Sequence, residues 1–237
     1  MVGEKWLRVL HAVPDAAAGA PLLLYGSRSP RWSEDATPSS DYDVIVVRDG
    51  DRAWKRTITP EAGLHIDLTV LSRRAMWNGR LMSPQQHVAD RWGEHIGDWT
   101  WYDPEMPLSW LGADTARETL ECEAEVALGA RDDVVWLCGF GIRILRRGLT
   151  LLSATGALGE AAPTWATVTN HYGLPADLVA AVRAAEALVD DARSRAWAGL
   201  VAAALKHAMD EIRASVMAYP KNRADAMVEE RLAGARA

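Results

Sequence analysis

Three aspartates and a Gly-Ser pair are the residues of this chain whose types and spacing could do chemistry. Gly26 and Ser27 follow one short apolar run, Asp41 and Asp43 begin a second, and Asp67 lies inside a third. Alternation along a strand would put Asp41 and Asp43 on one face. If the strand that carries Asp67 lies beside them, three carboxylates share one site. Each would then raise the pKa of the others unless a strong positive charge compensates them.

A divalent cation would supply that charge. Hard oxygen ligands select Mg²⁺ or Mn²⁺ rather than zinc, and Mg²⁺ keeps open positions for substrate phosphates. Two ions about 4 Å apart can activate an attacking oxygen and steady a leaving pyrophosphate. The Gly26-Ser27 pair would let backbone amides and a hydroxyl approach a phosphate closely. The pattern predicts a site for phosphoryl or nucleotidyl transfer, with Asp41, Asp43 and Asp67 as metal ligands and catalytic residues.

Two further side chains near these residues could take part. Arg28 follows the Gly-Ser pair, and a guanidinium fork suits a triphosphate. His65 would share a strand face with Asp67, although a lone histidine on a strand is more often only hydrogen-bonded or solvated. We expect Arg28, but not His65, to bind the nucleotide.

Short strands must position these residues. Continuous or alternating apolar patterns predict strands over residues 21–25, 41–47 and 64–71, and a more exposed strand over 54–59 that Pro60 ends. A short helix is expected within residues 1–12. Residues 73–112 are typical of helix pieces and loops.

From residue 115 onward the apolar spacing is helical. We predict helices over 116–128, 134–154, 165–172, 175–189 and 193–218. The fold class expected is therefore α+β, with a small mixed sheet and flanking helices followed by a helical bundle. We divide the chain into a catalytic domain, 1–112, and a helical substrate-binding domain, 113–237.

Composition limits the classes of function. Hydrophobic residues make up 49% of the chain and charged residues 24%, as in an ordinary globular protein. The net charge of -6 disfavours a general nucleic-acid binder. The crowding of Trp92, Trp99, Trp101 and Trp110 favours core packing over an aromatic wall for a substrate.

The number of cysteines and the length of the apolar runs indicate the cellular compartment of the protein. The chain has only two cysteines, Cys122 and Cys138, which does not suit a disulfide scaffold. Neither a signal-peptide layout nor a run of about 18 apolar residues occurs in the sequence. We expect a cytoplasmic protein with no membrane partner.

The same motifs carry a resemblance. Gly26-Ser27, the run from Ser40 to Val44 and Ile66-Asp67-Leu68 resemble, in order and spacing, the three motifs of the DNA polymerase beta-like nucleotidyltransferase superfamily. The resemblance covers about residues 20–72. It implies that the three aspartates hold Mg²⁺ or Mn²⁺ and that Gly26, Ser27, Arg28 and Ser40 bind the nucleotide. The loop 28–40 is long and contains Pro30 and Pro38, so the short helix usual after the Gly-Ser turn is expected to be distorted or replaced.

A nucleotidyltransferase core with a helical second half is most similar to the antibiotic and minimal nucleotidyltransferases. This implies transfer of a nucleoside monophosphate from a triphosphate, ATP by preference, to a hydroxyl of a small molecule with release of pyrophosphate. In the antibiotic-modifying group a helical-domain glutamate often acts as general base, and the sequence does not choose among Glu118, Glu121, Glu123 and Glu125. The alternative is an antitoxin-like partner that binds or modifies a helical toxin. The sequence leaves a homodimer open.

Overall fold

The structure is a computed structural model that describes residues 4–13, 19–29, 36, 40–50, 53–130, 132–184, 188, 191–219, 226, 229–230 and 233. The chain divides into two compact units, Met1–Met106 and Pro107–Ala237. The first unit contains a five-stranded sheet with helices, and the second contains helices. The predicted α+β class is therefore confirmed. Most of the loop 28–40, including Pro30 and Pro38, lies outside the described residues.

The sheet of the first unit is mixed. Its strands are β1 (Leu22–Tyr25), β2 (Tyr42–Arg48), β3 (Trp54–Glu61), β4 (Leu64–Ser72) and β5 (Glu94–Ile96), in the order β3-β4-β2-β1-β5. The neighbours β2 and β4 run parallel, and the other neighbouring pairs are antiparallel. The two strands that carry the sequence-predicted carboxylates thus lie side by side.

Both faces of the sheet are covered. On one face, helix α1 (Glu4–Ala12) packs Trp6 and Val9 against apolar residues that include Val44 and Leu68. The other face carries a second core cluster, formed by Leu23, Ile45, Val47, Met76 and Tyr102. Met76 belongs to helix α2 (Arg73–Met82). Burial on both sides explains why β2 is almost continuously apolar.

Tryptophans complete the second face. Trp77, Trp99 and Trp101 are partly buried and pack against that cluster. The rings of Trp99 and Trp101 stack with centroids 5.5 Å apart, and the guanidinium of Arg73 lies 5.0 Å from the Trp101 ring. Trp99 and Trp101 belong to the Trp-rich segment predicted to favour core packing, and both contribute to this core.

A buried charged network joins α2, helix α3 (Pro84–Trp92) and β5. The side chains of Arg80 and Asp90 are 1% and 0% exposed, and Arg80 Nε lies 2.9 Å from Asp90 Oδ2. The other carboxylate oxygen is 2.5 Å from His95 Nε2. Arg80 also donates to the Pro104 carbonyl. The network ties two helices, a strand and the following loop through one carboxylate.

Two features of the sheet differ from the sequence predictions. Strand β5 was not predicted, because three residues between Gly93 and Gly97 show no periodicity and are a strand only through pairing with β1. Strand β3 continues through Pro60 to Glu61 instead of ending there. A proline is tolerated because β3 is an edge strand, and the pairing with β4 shifts register between Ile58 and Glu61.

The second unit is helical. Its elements are α4 (Trp110–Gly129), α5 (Val134–Ala154), α6 (Trp165–Tyr172), α7 (Ala176–Arg183) and α8 (Ala192–Ala218). A helix was predicted over 175–189, whereas α7 spans Ala176–Arg183. Residues 185–187 and 189–190 lie outside the described part of the chain. Residue 112, the boundary predicted from sequence, falls within α4, whereas the structural division is at Met106.

Helix α5 is the most buried helix of this unit and packs on α4 and α8. In the part of the chain that the structure describes, no helix combines the length and apolar character needed to cross a bilayer.

Candidate functional site

Two carboxylates face each other on neighbouring strands. In the parallel pairing of β2 and β4, Asp43 is the register partner of Asp67. Their side chains project from the face that also carries Ile45 and Val47, at the end where β2 and β4 begin. Strands in a sheet lie about 4.8 Å apart, so the two carboxylates are within reach of one small cation. This juxtaposition was expected from the sequence on condition that the two strands are neighbours, and β2 and β4 are neighbours.

Gly26 lies directly against one of these carboxylates. Its φ is +78°, and a Cβ at this residue would stand 2.0 Å from Asp43 Oδ2. No side chain larger than hydrogen fits there without displacing the carboxylate. The Ser29 amide donates to the Gly26 carbonyl at 3.0 Å, which closes a turn with Ser27 and Arg28 in its middle. The turn and the aspartate therefore form one structural unit.

Tyr25 adds a partly buried phenol to this face. It pairs with Asp43 across β1 and β2 and is hydrogen-bonded to the Thr69 side chain of β4. Burial raises the pKa of the Tyr25 phenol above its usual range, and the negative charge of Asp43 adds to this effect. The hydroxyl is therefore neutral at physiological pH and remains a hydrogen-bond donor beside the carboxylates.

Asp67 already has two partners. Thr57 Oγ1 donates to Asp67 Oδ1 at 2.7 Å, and Lys55 Nζ lies 3.0 Å from Asp67 Oδ2. The hydrogen bond from Thr57, together with Lys55, holds the pKa of the Asp67 carboxyl below its usual value, although partial burial opposes the shift. Asp67 is thus ionised and charge-paired within the protein itself.

Asp41 occupies a different position. It immediately precedes β2 and is exposed, whereas Asp43 is half-buried. Among the described residues, no three His, Cys, Asp or Glu side chains are grouped as ligands for a metal ion. The donor chemistry of Asp43 and Asp67 suits a hard divalent cation. The structure brings this pair together and does not group the three aspartates as a ligand set.

The residues predicted to bind the nucleotide fall into two groups. Gly26 and Ser27 lie in the turn beside Asp43. Arg28 instead donates from Nε to the Ser40 carbonyl at 2.5 Å and lies 4.8 Å from the centroid of the Tyr42 ring. Tyr42 packs with Trp6 in the core of the opposite face. The contact between Arg28 and the Ser40 carbonyl therefore joins the two ends of the loop 28–40.

Sequence reasoning did not identify four polar residues around the carboxylates: Tyr25, Lys55, Thr57 and Thr69. The even spacing of Lys55 and Thr57 along a strand was the available signal, because it puts both on one face. Their pairing with Asp67 depends on the register between β3 and β4, which spacing alone does not define.

The four glutamates considered as general base lie on α4. Glu121 pairs with Arg117 at 2.6 Å and with Arg213 at 2.9 Å, and Glu123 pairs with Arg147 at 2.5 Å. Glu118 and Glu125 are exposed. The choice of a base among them stays a prediction from the sequence.

The comparison with solved structures gives a distant likeness. No known protein family and no curated protein sequence matches the chain. The chain is similar to the crystal structure of a nucleotidyltransferase-like protein from Exiguobacterium sibiricum 255-15, with a TM-score of 0.41 and 14% sequence identity. The match covers 92% of this chain and 78% of that chain.

Proposed function

We propose that the protein is a metal-dependent nucleotidyltransferase that acts on a hydroxyl of a small molecule. The observation that carries the proposal is the junction of three strands at one end of the sheet. There Asp43 lies beside Asp67 on parallel strands, and the Gly26 turn is closed against the Asp43 carboxylate. A glycine turn next to paired carboxylates suits a triphosphate whose charge is shared with a cation.

In the proposed reaction the acceptor hydroxyl oxygen attacks the α-phosphorus of a nucleoside triphosphate. The bond from that phosphorus to the bridging oxygen breaks, pyrophosphate leaves, and the hydroxyl proton passes to a base. A bound Mg²⁺ or Mn²⁺ would neutralise phosphate charge and polarise the reacting oxygens. The residues that would hold it are Asp43 together with the sequence-assigned Asp41 and Asp67.

The chain's own groups have distinct tasks in this proposal. The amides of the Gly26-Ser27 turn and the Ser27 hydroxyl would bind phosphate oxygens. The neutral Tyr25 hydroxyl would donate a hydrogen bond within the site. ATP is the expected donor, and the net charge of -6 favours a small acceptor over a nucleic acid.

The test is pyrophosphate release by the purified chain with Mg²⁺, each of the four triphosphates and a panel of hydroxyl acceptors. We expect Asp43→Asn to lower the rate at least about a hundredfold, the scale on which loss of one charge-stabilising group acts. Asp49→Asn is the matched control, because Asp49 is a highly exposed aspartate just past β2. An Asp43→Asn protein as active as wild type would refute the proposal.

A further inference from the structure

We propose that Lys55 is a fixed cation that takes the place of a second metal ion, so that this site binds one divalent cation. The inference rests on the proposed function, because it concerns how many cations the carboxylates of that site need. It starts from the contacts of Asp67, whose two oxygens are each engaged by a side chain of β3.

The register of the two strands explains this arrangement. In the antiparallel pairing of β3 and β4, Thr57 is opposite Asp67 and Lys55 is opposite Thr69. Residues two apart on a strand share a face, so Lys55 and Thr57 project to the same side as Asp67. Thr57 reaches Oδ1 from directly opposite, and Lys55 reaches Oδ2 from the diagonal position. Asp67 is held from one side by two neighbouring residues of the edge strand.

The charges at the site follow from these contacts. Two carboxylates on adjacent strands repel each other, and a pair of metal ions would normally compensate them. Here the ammonium of Lys55 compensates the charge of the Asp67 carboxylate. A second divalent ion bound to Asp67 would lie close to this ammonium, and the repulsion between the two positive charges disfavours it. The site is therefore expected to hold one metal ion, to which Asp43 and a remaining acceptor position of Asp67 can both bind.

The ammonium of Lys55 can also contact a substrate phosphate. Its side chain is 59% exposed, whereas that of Asp67 is 21% exposed. An ammonium has three donors, and its contact with Asp67 uses one. The others can donate to a phosphate oxygen without release of Asp67. A lysine here would therefore contribute charge while it keeps the Asp67 carboxylate in position.

The stoichiometry of Mn²⁺ binding to the full chain tests the inference directly. Free Mn²⁺ can be followed by electron paramagnetic resonance during a titration without nucleotide. We expect wild type to bind one Mn²⁺ per chain and Lys55→Met to bind two, because the variant leaves Asp67 without its ammonium. Arg56→Met is the matched control: it removes one positive charge from the neighbouring position, where Arg56 lies over the Trp54 ring, and should bind one ion.

Each outcome has a definite meaning. Two ions bound to wild type, or one ion bound to Lys55→Met, would overturn the role of Lys55 and leave the proposed transferase intact. The wild-type titration alone can distinguish one ion from two, even if a variant fails to fold. By contrast, wild type that binds no Mn²⁺, or Asp43→Asn that binds as wild type does, would count against the proposed metal site itself.

Discussion

The carboxylate of Asp43 occupies the space in which residue 26 would carry a side chain. A Cβ at Gly26 would stand 2.0 Å from Oδ2 and 2.8 Å from Cγ of Asp43. Glycine is thus required at residue 26 for two reasons: its positive φ and the close approach of the Asp43 carboxylate. An ordinary turn glycine has only the first.

Gly26→Ala should therefore remove activity by moving Asp43. The matched control is Gly63→Ala, since Gly63 has nearly the same φ, +79°, with no atom within 4 Å of an added Cβ. Both variants carry the backbone strain of a left-handed alanine, about 1–2 kcal/mol. Only Gly26→Ala should also lose pyrophosphate release and Mn²⁺ binding. Equal activity of the two folded variants would contradict the role given to the Gly26–Asp43 contact.

The ion pair of Asp67 predicts a pH-dependent stability. The native pKa of this carboxyl is lowered, so its stabilising contribution is present above the unfolded pKa of about 3.9 and is lost as the pH falls through the lower native value. In metal-free buffer, wild type should exceed Asp67→Asn in free energy of unfolding at neutral pH. That difference should shrink below about pH 4. Urea titrations from pH 7 to 3 would measure it, and a difference that grows on acidification would be inconsistent with the pairing.

The buried Asp90 is expected to matter far more for stability than an exposed acid. Asp90→Asn would leave the Arg80 guanidinium buried without its counter-charge, a change that typically costs about 3–5 kcal/mol. Glu61→Gln is the control, because the Arg8–Glu61 pair is 61% and 53% exposed, and should cost about 1 kcal/mol or less. Urea unfolding followed by tryptophan fluorescence compares them. Equal costs would show that the network is not a structural link.

Two glycines of α5 should respond oppositely to alanine. A Cβ at Gly141 would lie 2.6 Å from Val201 Cγ1 of α8, whereas nothing lies within 4 Å of one at Gly139. Valine has a stiff χ1 in a helix, so overpacking at Gly141 should destabilise by about 1–3 kcal/mol, offset in part by helix propensity. Gly139→Ala should stabilise by about 1 kcal/mol at most. Thermal unfolding of both proteins is the measurement, and a stabilised Gly141→Ala would argue against tight α5–α8 packing.

The sequence predicted those parts of the fold that depend on local periodicity. The apolar alternation of residues 64–71 predicted β4, and the β-branched run over residues 41–47 predicted β2, because both patterns are local consequences of burial. Alternation also put Asp41 and Asp43 on one face of their strand, and Asp67 joins Asp43 because the two strands are neighbours. What it could not supply was pairing between distant residues.

Three results show that limit. Strand β5 exists only because Leu22–Leu24 offers hydrogen bonds to Glu94–Ile96. The contacts of Arg28 with the Ser40 carbonyl and the Tyr42 ring join residues that local periodicity does not relate to each other. The spacing of Lys55 and Thr57 puts both on one face, but their pairing with Asp67 depends on the register between β3 and β4. In each case the contact is made with a residue distant in the sequence, and only the tertiary structure brings the two residues together.

The edge strand β3 has a consequence beyond the site. A free sheet edge presents unpaired backbone groups on which another chain can add a strand and begin aggregation. Here that edge carries the adjacent charges of Lys55 and Arg56, a register irregularity after Ile58, and Pro60, which has no amide hydrogen to donate. These are devices that discourage intermolecular strand pairing. The strand that supplies the ammonium to Asp67 thus also protects the protein against self-association through its sheet.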